Sequence, residues 1–438
     1  MAHNWCSILW VPWPVTRFDT QQTLLRLCLD LTGRAATFLL GILIARQLGQ
    51  TGFGLYAYAI AVGFVTSQVA DFGLQLLMAR QVAAGGDLAR PYAATALRLK
   101  GLLSLPVVIL LFGAANSYPP GPALGVMALG LSILIQTFIE FSAAIYRGQR
   151  RILREAAVLT TARMLLAGCG AAALLAGGDI PELGLSILVA SAAAALLTIW
   201  QLRHAGWFTG LPAASETSVA LGFVLRQALP LGVSSLLSIA YTRTALLLLH
   251  ELRGTTAVAW FGAAQRLVEP TQLLPTALLA SVFPLYVQRT LVEDKAARSL
   301  ALKSMGLLAA VGMLISLLLW ATAPWLMPGL YGSAFQTSAP VLRLLSLSIG
   351  PMFVNHALIH FLIAHGRQNF VAIFMAGMLT FHLIVSWVLI RPLDVAGPAI
   401  SMLLAELLLL GCCLTAFFRI APRQVELLQT PATELRLG

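Results

Sequence analysis

Charge is what this chain has least of. Asp, Glu, Lys and Arg make up 10% of its 438 residues, against about a quarter in soluble globular domains. Acids are scarcer still, 17 against 28 Lys and Arg. That balance excludes an ordinary soluble fold, whose surface needs far more charge. Cysteine offers no framework either. Cys6, Cys28, Cys169, Cys412 and Cys413 are odd in number and lack metal-ligand spacing. Four of them lie in or beside apolar runs, where the thiol behaves as a small hydrophobe. There is no phosphate-cradling glycine loop, nucleophile elbow or HExxH helix. Nothing therefore indicates catalysis, a metal, a cofactor, or ATP hydrolysis by this chain alone. The segment from Met1 to Val15 has no basic n-region and is broken by Pro12 and Pro14, unlike a signal peptide. Its Trp5, Trp10 and Trp13 suit a segment at a membrane surface or an unstructured leader.

What is present is apolar length. Hydrophobic residues make up 59% and mean hydropathy is +0.85. Twelve mostly apolar stretches fall at 27–48, 54–76, 93–116, 123–146, 156–177, 182–203, 228–250, 257–287, 304–327, 338–364, 370–391 and 396–418. Each is long enough to cross the hydrocarbon core of a bilayer, which takes about 20 residues. Basic residues collect in every second gap. These gaps carry Arg80, Arg90, Arg98 and Lys100; Arg147, Arg150, Arg151 and Arg154; Arg203 and Arg226; Arg289, Lys295, Arg298 and Lys303; and Arg367. The alternate gaps are nearly uncharged or acidic, as at Asp179 and Glu182. Positive residues are retained on the cytoplasmic side, which predicts a multi-pass inner-membrane protein with both termini cytoplasmic. The net charge of +11 follows from that sorting and does not indicate nucleic acid.

The chain divides into an N-terminal cytoplasmic or interfacial segment (1–26), a six-helix lobe (27–203), a cytoplasmic linker (204–227), a second six-helix lobe (228–418) and a cytoplasmic tail (419–438). The fold class expected is an all-α polytopic membrane protein of about twelve transmembrane helices in two pseudo-symmetric bundles, as in an internally duplicated transporter. The segment Gly54-Leu-Tyr-Ala-Tyr-Ala in span 2 is weakly echoed by Trp260-Phe-Gly-Ala-Ala in span 8. Span 8 also holds Pro270, Pro275 and Pro284, each of which removes a backbone donor. The result is either a kinked helix or a gating hinge.

Five arginines sit inside apolar runs: Arg34, Arg163, Arg243, Arg266 and Arg343. Each costs about 2.5–3.5 kcal/mol at bilayer depth. Acids at similar depth are Asp30, Asp71, Glu140, Glu269 and Glu406. Asp30 with Arg34 and Arg266 with Glu269 have the helical spacing of self-neutralising pairs. Arg163 and Arg343 lie near span ends and could snorkel. Arg243 has no acid nearby in sequence, so it asks for a partner on another helix or a substrate. The guanidinium fork matches phosphate geometry, which makes Arg34, Arg243 and Arg266 the candidate phosphate-binding set. Asp71 has no basic residue until Arg80, which makes it the first candidate for ion coupling and Glu269 the second. A backbone-bonded structural Asp71 is the competing reading. His356 and His360, four apart on span 10, read as an interior pair, since no acid completes a metal site.

Several segments resemble the polysaccharide transporter family, which holds the O-antigen and lipid-linked oligosaccharide flippases, within the superfamily of the multidrug/toxin extruders. They are Ile44-Ala-Arg-Gln-Leu-Gly with Gly52-Phe-Gly-Leu-Tyr, Val69-Ala-Asp-Phe-Gly-Leu with Ala79-Arg-Gln-Val, Tyr241-Thr-Arg, Phe261-Gly-Ala-Ala-Gln-Arg-Leu, Leu362-Ile-Ala-His-Gly-Arg, and Ile390-Arg-Pro-Leu-Asp-Val-Ala-Gly-Pro-Ala-Ile running to Glu406. They occur in family order across nearly the whole chain. Many relatives carry Asp where this chain has Ala245, and often Asn in span 11, where His382 and Ser386 stand here. The resemblance therefore carries over no coupling role for a span 7 acid. It implies a non-enzymatic flippase that moves a polyprenyl-pyrophosphate-linked oligosaccharide across the inner membrane for O-antigen or exopolysaccharide synthesis. A polysaccharide polymerase is a further candidate partner beside the bilayer and the lipid-linked substrate. An ion-coupled exporter of organic cations, a membrane-embedded glycosyltransferase or ligase, and a non-transporting scaffold are the alternatives.

Overall fold

The computed structural model describes residues 20–85, 89–207, 219–292 and 294–419. The Trp-rich leader, the middle of the 204–227 linker and the 420–438 tail lie outside the described residues. Among those described there is no strand. The first lobe is built from α1 (Thr20–Asp71), α2 (Leu74–Ala84), α3 (Ala89–Ala115), α4 (Pro120–Gly148), α5 (Ile152–Leu175) and α6 (Ile180–His204). The second comprises α7 (Leu221–Arg253), α8 (Thr255–Val268), α9 (Leu273–Val292), α10 (Asp294–Tyr331), α11 (Ser338–Leu347), α12 (Ile349–Ala364), α13 (Gln368–Leu393) and α14 (Ala396–Arg419).

Among the described residues, eleven helical stretches are long and apolar enough to cross a membrane. The expected twelve are recovered because α1 contains two of them. A straight helix of 52 residues would be about 78 Å long, far more than the roughly 30 Å hydrocarbon core. The chain breaks at Gly49, with φ 64° and ψ −162°, a conformation a side chain would resist. The turns obey local rules elsewhere too. Asp179 and Glu182 form a reciprocal capping box at the start of α6.

Three breaks fall inside spans rather than between them. Span 2 is interrupted at Phe72 and Gly73, with φ of 38° and 76°. Span 8 becomes a 3-10 turn over Glu269–Gln272, where Pro270 removes a donor. Span 10 is divided between α11 and α12 at Ser348. Within the first lobe α1 packs against α3, α4 and α5; within the second, α10 packs on α12 and α13 on α14. The lobes meet where α1, α2 and α3 face α7 and α8.

The echoed segments of spans 2 and 8 pack against each other. A Cβ on Gly54 would lie 1.9 Å from the Thr255 carbonyl oxygen, and one on Gly262 would lie 3.4 Å from Ala57 Cβ. Small residues at this position let the two helices approach closely.

Candidate transport site between the lobes

The lobes touch at both ends and leave a polar space between. Below, the basic end is where the Lys/Arg-rich gaps fall, and the far end is its opposite. At the far end, Tyr58 stacks on His250 with ring centroids 3.8 Å apart. The hydroxyl of Tyr118, in the α3–α4 connection, lies 2.7 Å from His250 Nε2. Burial pushes that phenol's pKa up, so it remains protonated. Arg46 Nε also crosses the interface, donating to the Leu330 carbonyl at 2.8 Å.

At the basic end the broken span 2 lies directly on α7. A Cβ on Gly73 would lie 2.7 Å from Leu231 Cβ, and one on Gly232 would lie 2.7 Å from the Phe72 ring. Gln81 Nε2 and the Tyr92 hydroxyl both donate to Gln227 Oε1 at 3.2 Å. Thr95 Oγ1 donates to the Val219 carbonyl at 3.2 Å.

Between these closures lies a cavity of about 350 Å³ lined by Gln68, Ser234, Ser235, Ser238 and Ile239. Gln68 Nε2 is buried without a hydrogen-bond partner among the described residues. An orphaned donor of this kind is costly unless a ligand or water meets it. On the far side of the cavity, Arg243 Nη1 donates to Glu269 Oε1 at 2.8 Å and its guanidinium covers the Phe64 ring at 4.9 Å. Arg266 covers Phe53 at 5.3 Å and Tyr56 at 4.9 Å. Both arginines thus reach from the second lobe onto aromatic rings of span 2, an attraction that strengthens where water is excluded.

Arg34 stands apart from them. It is exposed on α1, next to Gly33, which packs on Arg163 and Thr160 of α5. The self-pairs suggested by helical spacing do not form. Asp30 lies 3.6 Å from Arg163 and 4.0 Å from Arg26, while Glu269 is held by Arg243. In each case a neighbouring helix presents a better-placed cation than the helix itself. Arg343 covers the Trp320 ring at 4.8 Å and donates to the Trp320 carbonyl at 3.1 Å.

The premise for Asp71, a carboxylate without a partner, is overturned. Lys100 Nζ lies 2.6 Å from Asp71 Oδ1, with side-chain exposures of 0% and 3%. Lys100 also approaches the Phe138 and Phe141 rings at 5.3 and 5.9 Å. This lysine, assigned above to a basic gap, points inward because the buried carboxylate outweighs the draw of solvent.

The second lobe holds a polar cluster that sequence spacing missed. Glu406 is 4% exposed and accepts from Tyr241 Oη at 3.1 Å and Asn355 Nδ2 at 2.8 Å. His382 adjoins it, 5.2 Å from the Tyr241 ring and 2.9 Å from Ser401 Oγ. No Lys or Arg pairs with Glu406 among the described residues. Its partners come from α7 and α12, with His382 on α13, so no single stretch of sequence betrays them. His356 and His360 each bond a carbonyl four residues back, Met352 and His356, at 2.8 and 2.7 Å.

Residues 20–290 match the model of the family described as polysaccharide biosynthesis protein. The chain belongs to that family. Among solved structures, this family member is similar to the lipid II flippase MurJ in an inward closed conformation, with a TM-score of 0.68, 13% identity, and coverage of 91% of this chain and 88% of that one. It is also similar to a multidrug resistance MATE family transporter of the MOP superfamily in an inward-facing conformation, with a TM-score of 0.65, 15% identity and coverage of 90% and 96%. A MATE transporter from Vibrio cholerae gives a TM-score of 0.54, 15% identity and coverage of 91% and 95%. No curated protein sequence matches the chain. At these identities the likeness establishes the fold, a two-lobed multi-pass helical architecture, and leaves the function and substrate open.

Proposed function

We propose that this family member is a flippase that carries a polyprenyl-pyrophosphate-linked oligosaccharide across the inner membrane by alternating access, for surface polysaccharide such as O-antigen. Both termini would be cytoplasmic, and a polysaccharide polymerase would take the product on the outer side. The observation that carries this reading is the cationic interface. Arg243 and Arg266 both reach into the contact between lobes, and the cavity beside them is lined by serines and a glutamine rather than acids. Such a surface suits an anionic phosphate and hydroxyl-rich sugars, and repels the organic cations of a multidrug exporter.

In this mechanism Glu269 holds Arg243 while the carrier is empty. A pyrophosphate entering between the lobes competes for the same guanidinium and releases Glu269, which begins the 3-10 turn of span 8. Substrate binding thereby acts on the one segment of that span already departing from α-helix. Arg34, exposed on α1 and apart from this pair, would be a further phosphate contact. No covalent bond changes; the protein shields a polar headgroup from hydrocarbon while the lipid tail stays in the bilayer. Coupling to an ion gradient would fall to Asp71 and Glu269. Protonating either carboxylate removes one side of an inter-helix ion pair and so frees the helices it joins.

The experiment is complementation. Arg243→Ala should abolish surface polysaccharide in a strain lacking the chromosomal copy while membrane levels of the protein stay normal. Full complementation by that variant would refute the phosphate role. Uptake of small organic cations by proteoliposomes, with no effect of lipid-linked oligosaccharide, would favour the exporter instead.

A further inference from the structure

A second cavity lies outside the lobe interface. It is a groove of about 440 Å³ between α4, α5 and α6, whose polar lining includes Tyr146, Arg154, Thr161, Trp200, Gln201 and His204. The main contacts of α5 and α6 are with helices of their own lobe, so the groove faces the bilayer. Trp200 and Leu196 beside it are 57% and 69% exposed.

Its charged and aromatic groups gather at one level. Tyr146 is two residues from the end of α4, Arg154 is in the first turn of α5, and His204 closes α6. This is the basic end of all three helices, at headgroup depth, where an exposed Trp200 prefers to sit. Ala194 lies ten residues before His204 in α6, about 15 Å deeper at 1.5 Å per residue. With Ala157 and Ala162 of α5 it lines the groove with small apolar side chains, a trough suited to one hydrocarbon chain.

The charges at the mouth are available. Neighbouring Glu155 is occupied by Arg147 at 2.6 Å and Arg26 at 3.7 Å, and no ion pair engages Arg154 among the described residues. His204 Nδ1 lies 2.9 Å from the Trp200 carbonyl, which leaves Nε2 to face a ligand. No Asp or Glu lines the groove, so a zwitterionic headgroup would find no partner for its ammonium.

We propose that this groove binds an anionic phospholipid from the basic-side leaflet, with its phosphate against Arg154 and His204 and one acyl chain along Ala157, Ala162 and Ala194. Basic pockets between helices at this face of a membrane are suited to such headgroups. The site is separate from whatever crosses between the lobes.

The test uses the purified full-length chain in a neutral detergent, titrated with phosphatidylglycerol or phosphatidylcholine and followed by native mass spectrometry and thermal unfolding. Phosphatidylglycerol should be retained and should raise the unfolding midpoint, while phosphatidylcholine should do neither. Arg154→Gln combined with His204→Gln should weaken retention roughly tenfold, as expected for losing one interfacial charge and one hydrogen-bonding ring nitrogen. Arg203→Gln, which removes an exposed charge outside the groove, should bind as wild type. Unfolding in lipid-free detergent should be the same for all three proteins, showing that the fold is intact. Equal retention by the double variant, equal stabilisation by phosphatidylcholine, or retention of polyprenyl phosphate in place of phosphatidylglycerol would overturn the proposal.

Discussion

Lys100 and Asp71 form a buried ion pair, 2.6 Å apart, that ties α3 to the residue immediately before the break in span 2. The break itself, Phe72–Gly73, is the surface that meets Gly232 of the second lobe. A charge pair inside one lobe therefore sets the shape of the segment that closes the basic end against the other.

Removing one partner leaves the other charged and dry. Lys100→Ala should destabilise the protein by about 3–5 kcal/mol, whereas Lys100→Met with Asp71→Leu should recover much of that loss. Thermal unfolding in detergent measures both. A single variant that unfolds at the wild-type temperature would show the pair to be dispensable.

Coupling is read separately from stability. Asp71→Asn keeps the shape and removes the titrating group, so transport that survives should no longer depend on the proton gradient. Glu269→Gln should lower transport by weakening the hold on Arg243. Wild-type gradient dependence in Asp71→Asn vesicles would make Asp71 structural and direct attention to Glu406, a buried acid with no cationic partner among the described residues.

Arg243 should not tolerate lysine. A point charge reproduces neither the fork offered to a phosphate nor the flat contact with Phe64. Arg243→Lys should therefore complement little better than Arg243→Ala. Substantial surface polysaccharide from the lysine variant would mean that charge alone is needed.

Arg266 fills the space over Gly41. A Cβ there would lie 1.8 Å from Arg266 Nη1. Gly41→Ala must displace the guanidinium from Phe53 and Tyr56, with an expected loss of about 1–3 kcal/mol. Adding Arg266→Ala removes the clash, so the two substitutions should be markedly non-additive in thermal unfolding. Simple additivity would show that Arg266 can move aside freely.

The basic-end contact should open during transport. Cysteines at 81 and 227, in place of the hydrogen-bonded glutamines, should be joined by a short bifunctional thiol reagent and lose transport. A cleavable reagent should restore it on reduction. Undiminished transport by the cross-linked protein would mean that these helices need not part.

The count of spans and the two halves were legible in the sequence, because hydrocarbon thickness acts on each segment separately. The break in span 8 was foreshadowed by Pro270, whose effect on its helix is local. The partners of the intramembrane charges were not legible. Helical spacing joined Asp30 to Arg34 and Arg266 to Glu269, but the fold joins Asp30 to Arg163 and Glu269 to Arg243. Lys100 looked like one more basic residue at a span end, yet it is fully buried on Asp71. The cluster at Glu406 draws on α7, α12, α13 and α14 and left no trace along any one of them. Spanning a bilayer is a property of roughly 20 consecutive residues, and sequence alone decides it. Neutralising a buried charge depends on distances of a few ångströms between helices far apart in the chain, and only the packed structure decides those.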